Sequence, residues 1–98
     1  MQQVAIIGVG MTPVAEHWDR SLRELAAEAV RAALDDAGIG ADRIGLLINT
    51  SVSRDYLEPS TASIVSGNLG VSEHCQNFDL ANACLAFLNG MDVASRMI

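Results

Sequence analysis

Apolar positions along the chain fall alternately into short continuous runs and longer stretches of helical period. Val4-Ala5-Ile6-Ile7-Gly8-Val9-Gly10 is a short run, almost wholly apolar and closed by glycines. Such a run reads as a parallel strand buried on both faces. Leu22, Leu25, Ala26, Ala29, Val30, Ala33, Leu34 and Ala37 then recur at helical spacing, with Arg23, Glu24, Glu28, Arg31 and Asp35 on the other face. Ser21 and Glu24 have capping-box spacing, in which the serine hydroxyl takes the Glu24 amide and the glutamate reaches back to the cap amide. Gly38 supplies the left-handed residue that ends a helix. The spacing predicts a helix from Leu22 to Ala37.

The pattern repeats. Ile44–Asn49 reads as a second buried strand, Ser51–Glu58 as a polar loop. Pro59 with Ser60-Thr61-Ala62 opens a second helix, and Asn68-Leu69-Gly70 closes it. Gln76–Leu80 is a shorter third strand. From about Cys84 a third helix begins, with Phe87, Leu88, Met91, Ala94 and Ile98 as its apolar stripe. The predicted order is β-α-β-α-β-α, an α/β unit with parallel strands and helices on the faces.

Composition narrows the function more than the fold. At 98 residues the chain is one small domain or part of a larger one. A net charge of −6 argues against a nucleic-acid surface, which needs clustered Lys and Arg. Val4–Val9 is too short for a signal or membrane segment and no basic run precedes it, so a soluble, cytoplasmic protein is expected. The two cysteines, Cys75 and Cys84, form no CxxC or metal-ligand pattern, which points to free thiols in a reducing compartment. The chain stops in a helical stretch with no cap and no polar tail, which reads as truncation.

The candidate chemistry lies at Asp79-Leu80-Ala81-Asn82-Ala83-Cys84-Leu85-Ala86-Phe87, where small residues carry the chain from strand to helix. A cysteine at a helix N-terminus has its thiolate favoured by unpaired amides and the helix dipole, and so becomes a usable nucleophile. The same amides can hold the oxyanion of a tetrahedral intermediate. The local pattern leaves a second reading open: a free cysteine is commonly a small buried core residue. Cys75, expected in the turn before the third strand, has no evident role.

Asp79–Phe87 closely resembles the cysteine turn of ketoacyl synthase III-like enzymes of the thiolase superfamily. Ile44–Thr50, Ser53-Arg54-Asp55-Tyr56-Leu57-Glu58-Pro59-Ser60-Thr61-Ala62, Gly67-Asn68-Leu69-Gly70-Val71 and Asn89-Gly90-Met91-Asp92 resemble its OleA branch. The resemblance is specific over Ile44–Ile98. It implies a partial thiolase-like domain spanning residues 1–98, part of one half of a five-layered α/β/α/β/α sandwich. It also implies acyl transfer from acyl-CoA onto Cys84, followed by head-to-head Claisen condensation to a β-keto acid, as in bacterial olefin synthesis. Acyl-CoA enters as substrate and no cofactor is expected. Glu58 matches the branch's base, thought to reach in from the partner subunit of a dimer. Its own sequence context allows another role, as an acidic residue in the first turn of the helix at Pro59, favoured by the dipole.

The resemblance has limits. The family draws a His and an Asn from a C-terminal half that this chain lacks. His17 and His74 do not match that His motif and are expected in loops or at the surface. Asn82 and Asn89 flank the cysteine without matching the catalytic Asn. Residues Val4–Ile39 look more like the opening of a sterol-carrier-type thiolase. The fragment should expose apolar faces, which favours homodimerisation or aggregation. Gly90 inside a helix costs about 1 kcal/mol relative to Ala, which implies a close contact there. Two other readings compete. Gly8-Val9-Gly10 after a strand is half of a dinucleotide fingerprint, but Pro13 replaces the third glycine and Asn49 stands where an acid would bind ribose. A non-catalytic thiolase-like assembly module is the other.

Overall fold

The computed structural model describes residues 3–53 and 56–98. Its regular elements are helix α1 (Leu22–Ala37), strand β1 (Leu46–Asn49), helix α2 (Thr61–Leu69), strand β2 (Gln76–Asp79) and helix α3 (Ala86–Met97), with a single 3-10 turn at Ala41–Arg43.

α1 has the bounds its spacing dictates. Ser21 Oγ accepts from the Glu24 amide at 3.2 Å. The return half of the box differs: the Glu24 carboxylate accepts from the Ser21 hydroxyl, also at 3.2 Å. Gly38 closes the helix at φ 72, its amide shared between the Leu34 and Asp35 carbonyls. A side chain at that φ would be strained, which is why glycine ends the helix there. α2 is capped by Ser60 and stopped by Gly70 at φ 69, as its sequence signals require.

β1 and β2 pair in parallel, Leu46 opposite Gln76 and Asn49 opposite Asp79. Pairing continues past both ends, with the Gln76 amide on the Gly45 carbonyl and the Leu80 amide on the Asn49 carbonyl at 2.8 Å. The expected strands Ile44–Asn49 and Gln76–Leu80 are therefore present, trimmed by one or two residues. Side chains of β1 alternate between faces. Leu47 joins Ala62, Val65 and Cys75 in the buried cluster under α2. Leu46 and Ile48 face the other way and line a groove of about 250 Å³ with Phe87, Gly90, Met91 and Ala94 of α3. The layers are thus α1 and α2, the sheet, and α3. α2 lies between α1 and the sheet, and Arg31 of α1 donates to the Asn68 carbonyl at its end.

The first predicted strand does not form. Val4–Gly10 has no ladder partner and lies on α1 instead. A Cβ on Gly8 would stand 2.5 Å from the Ala33 carbonyl oxygen. The Val9 amide, a donor a strand would give to its neighbour, goes to Asp36 Oδ2 at 3.0 Å. The order is α-β-α-β-α on a two-stranded sheet. The glycines that suggested half of a nucleotide fingerprint are explained by this close approach to a helix.

The expectation of exposed apolar faces holds. Ile6, Ile7 and Val9 on the first segment and Leu85, Phe87 and Leu88 at the start of α3 are all more than half exposed. Gly90 makes the close contact its helical position implied: a Cβ there would stand 2.8 Å from the Thr50 side-chain methyl. Among the described residues no helix is long and apolar enough to cross a membrane.

Candidate active site

The parallel sheet sends both candidate segments out of one edge. The chain leaves β1 at Asn49 and runs through the loop that ends in Glu58; it leaves β2 at Asp79 and turns into Cys84. Loops beyond the carboxyl ends of parallel strands are where α/β folds place their chemistry. Arg54 and Asp55, part of the motif around Glu58, lie outside the described residues.

The turn at Cys84 is short and strained. The Leu85 amide donates to the Asn82 carbonyl at 3.0 Å and the Ala86 amide to the Ala83 carbonyl at 3.3 Å. Between them Ala83 takes φ 47, a left-handed conformation that costs a side-chain-bearing residue energy and is held only by its surroundings. α3 starts at Ala86 with Leu85 as its cap. Cys84 therefore sits two residues before the helix rather than at its first position, because the turn must close before helical bonding can begin. The Asn82 side chain donates from Nδ2 to Asn89 Oδ1 at 2.7 Å, bridging the turn to the first turn of α3.

The two cysteines separate cleanly. Cys75 is buried in the core beside Leu47 and Val65, and burial pushes its thiol up from the ordinary 9.0. Cys84 is exposed. The core-residue reading thus describes Cys75 and not Cys84.

Glu58 is exposed, next to a cis peptide at Pro59. α2 begins at Thr61, so Glu58 lies outside the helix and there is no acidic residue in its first turn. The helix-end role passes to Asp79, which sequence spacing did not reveal: one carboxylate oxygen accepts from the Thr61 amide at 3.0 Å and the other from the Ala62 amide at 2.9 Å. Ser63 Oγ adds a 2.6 Å bond to Asn77 Oδ1 of β2. Asp79 thereby fastens the segment following Glu58 to the strand that leads to Cys84. Glu58 and Cys84 make no hydrogen bond with each other among the described residues. His17, which contacts the Pro13 carbonyl, and exposed His74 lie outside the helices and strands, as expected for loop residues.

No protein-family model matches the chain. It is 70% identical over 83 residues to the acyl-CoA:acyl-CoA alkyltransferase of Xanthomonas campestris pv. campestris, a match covering 83% of this chain and 25% of that protein. It is 40% identical over 75 residues to a beta-ketoacyl-[acyl-carrier-protein] synthase III of Neisseria meningitidis, covering 76% of this chain and 23% of the relative. Crystal structures of Xanthomonas campestris OleA carrying a glutamate or a cysteine substitution superpose with a TM-score of 0.80 at 69% and 70% identity. They match 83% and 82% of this chain and 24% and 23% of OleA. The chain spans about a quarter of the length of the relatives it matches. A match over 83 residues of this chain takes in α1 as well as most of Ile44–Ile98. Over the matched residues the chain is similar in sequence to acyl-CoA:acyl-CoA alkyltransferase and beta-ketoacyl-[acyl-carrier-protein] synthase III proteins, and in fold to OleA.

Proposed function

We propose that Cys84 is the nucleophile of an acyl-transferring, condensing enzyme acting on acyl-CoA, and that Glu58 is its base. One observation carries the reading. The glutamate and the cysteine substituted in the Xanthomonas campestris OleA structures stand 26 residues apart, the separation of Glu58 and Cys84 here. The exposure of both side chains supports it, since a core cysteine or a helix-end glutamate would be otherwise engaged.

In this reading the Cys84 sulfur attacks the thioester carbonyl of an acyl-CoA. A C–S bond forms to the enzyme, and the bond to CoA breaks as the tetrahedral intermediate collapses and CoA leaves as its thiol. The Leu85 and Ala86 amides are engaged in the turn, so we assign the Cys84 amide to the oxyanion. Glu58 of a partner subunit then takes a proton from the carbon beside the thioester of a second acyl-CoA. That carbon attacks the acyl-enzyme carbonyl, a C–C bond forms, and the Cys84 thiolate departs; hydrolysis of the remaining thioester yields the β-keto acid. Acylation is the step assigned to this chain as it stands. Condensation is assigned to a homodimer completed by the remaining three-quarters of a relative's length, with a soluble, cytoplasmic setting.

The test is intact mass after incubation with a long-chain acyl-CoA, with Cys84→Ser as control. An adduct in the parent that is missing from the variant is the expected result. A folded parent with a titratable Cys84 and no adduct would overturn the acyl-enzyme reading and favour a thiolase-like assembly module.

A further inference from the structure

Cys84 is held at the tip of a turn that has little to stiffen it from below. Ala83 is left-handed at φ 47, Leu85 caps α3 without a side-chain bond, and the residues Ala81 to Leu85 are all exposed. Buried Ala86 and Gly90 seat α3 against the sheet, while the exposed turn between strand and helix meets α3 at an angle that its own packing does not fix. The Asn82 and Asn89 side chains do span that angle: Nδ2 of one and Oδ1 of the other are 2.7 Å apart, with the cysteine between them in sequence. Asn82 is doubly committed, since its carbonyl also accepts from Leu85 and closes the turn.

We propose that Asn82 and Asn89 form a clasp that orients Cys84 for attack on a thioester, and that both are positioning residues. The proposal rests on the reading of Cys84 as the acyl-accepting nucleophile. An exposed amide pair competes with water and adds little to stability. What it adds is direction. Acyl transfer needs the sulfur, the carbonyl carbon and the oxyanion donor aligned, and small misplacements there cost rate steeply. Alkylation by a small halide needs only an accessible sulfur. The clasp should therefore raise the first reaction and leave the second alone.

The experiment uses the 98-residue chain and two reagents, phenyl thioacetate, which acylates the thiol with loss of thiophenol, and iodoacetamide, which alkylates it. Rates at Cys84 are followed by peptide mass, and their ratio is compared with that of a short peptide spanning residues 80–90. In the folded parent the acylation-to-alkylation ratio is expected to exceed the peptide's about tenfold. Asn82→Ala and Asn89→Ala should each bring it to within about twofold of the peptide's, while buried Cys75 stays slow to alkylate. Asn82→Asp should retain the parent ratio, because the Asn89 amide can turn over and donate to the new carboxylate.

A raised ratio untouched by either alanine variant overturns the clasp and leaves the nucleophile reading standing. A parent ratio equal to the peptide's removes the nucleophile reading and the clasp with it. If the ratio falls only as Cys75 becomes reactive, or if Asn82→Asp loses it too, the asparagines are structural and the proposal fails.

Discussion

The carboxylate of Asp79 and the backbone amide of Thr61 stand 3.0 Å apart across 18 residues of chain. With the second oxygen on Ala62, the end of β2 becomes the anion at the start of α2. Two otherwise unpartnered helix amides are satisfied, and a negative charge meets the positive end of the helix. Asp79→Ala should therefore destabilise the chain by about 1–2 kcal/mol, and Asp79→Asn by less. Urea denaturation measures both; a midpoint unchanged in Asp79→Ala would mean that Ser60 alone caps the helix.

Gly90 offers a test in which propensity and packing disagree. Alanine is worth about 1 kcal/mol over glycine in a helix interior. Yet a Cβ at Gly90 would stand 2.8 Å from the Thr50 side-chain methyl, and overpacking of this kind costs about 1–3 kcal/mol. Gly90→Ala should be destabilising on its own and recover when combined with Thr50→Ser, which removes that methyl. A stabilising Gly90→Ala would show that α3 can shift off β1 at no cost.

How much of this was legible beforehand depended on whether the signal was local. α1 was readable to the residue because its cap, Ser21, and its stop, Gly38, act within a few positions of themselves; α2 was readable as a helix opening near Pro59 and closing at Gly70, without its Ser60 cap. Val4–Gly10 was misread because a continuous apolar run does not say which neighbour will cover it, and here α1 takes its glycines and one of its amides. At the site, Cys84 and Glu58 were visible as motif positions. The Asp79 cap and the Asn82–Asn89 bond were not, since each joins residues whose meeting depends on where the sheet and the turn send the chain.

The left-handed Ala83 gives a third prediction. A left-handed residue bearing a Cβ costs roughly 1–2 kcal/mol, which glycine avoids and a β-branched residue aggravates. Ala83→Gly should keep the fold and leave stability nearly unchanged, its relief offset by a more flexible unfolded chain. Ala83→Val should lower the melting temperature and alter iodoacetamide reactivity at Cys84. Equal stability of the two variants would place Ala83 outside the left-handed region in solution.

The two thiols should differ in rate, and burial should give Cys75 a signature in the pH dependence of stability. Exposed Cys84 should alkylate readily at neutral pH while Cys75 remains protected. Burial disfavours the Cys75 thiolate, so its folded value lies above the ordinary 9.0. Above that pH the unfolded chain gives up a proton that the folded chain keeps. The stabilising contribution of the neutral thiol is therefore intact below about 9 and is lost as pH rises through the raised value. Cys75→Ala should flatten this alkaline limb, as urea titrations between pH 7 and 10.5 would reveal; an identical alkaline slope in the variant would assign the loss to other groups.

Because β1 and β2 run in the same direction, Glu58 and Cys84 belong to loops that share an edge but not a length. The β1 loop can gain or lose residues without disturbing the register of the sheet or the turn that presents the thiol. An acid offered to a partner subunit could thus be advanced, withdrawn or exchanged while the chain's own sulfur keeps its place. Variation between relatives should collect before Pro59, leaving the few residues from Asp79 to Cys84 constant in number.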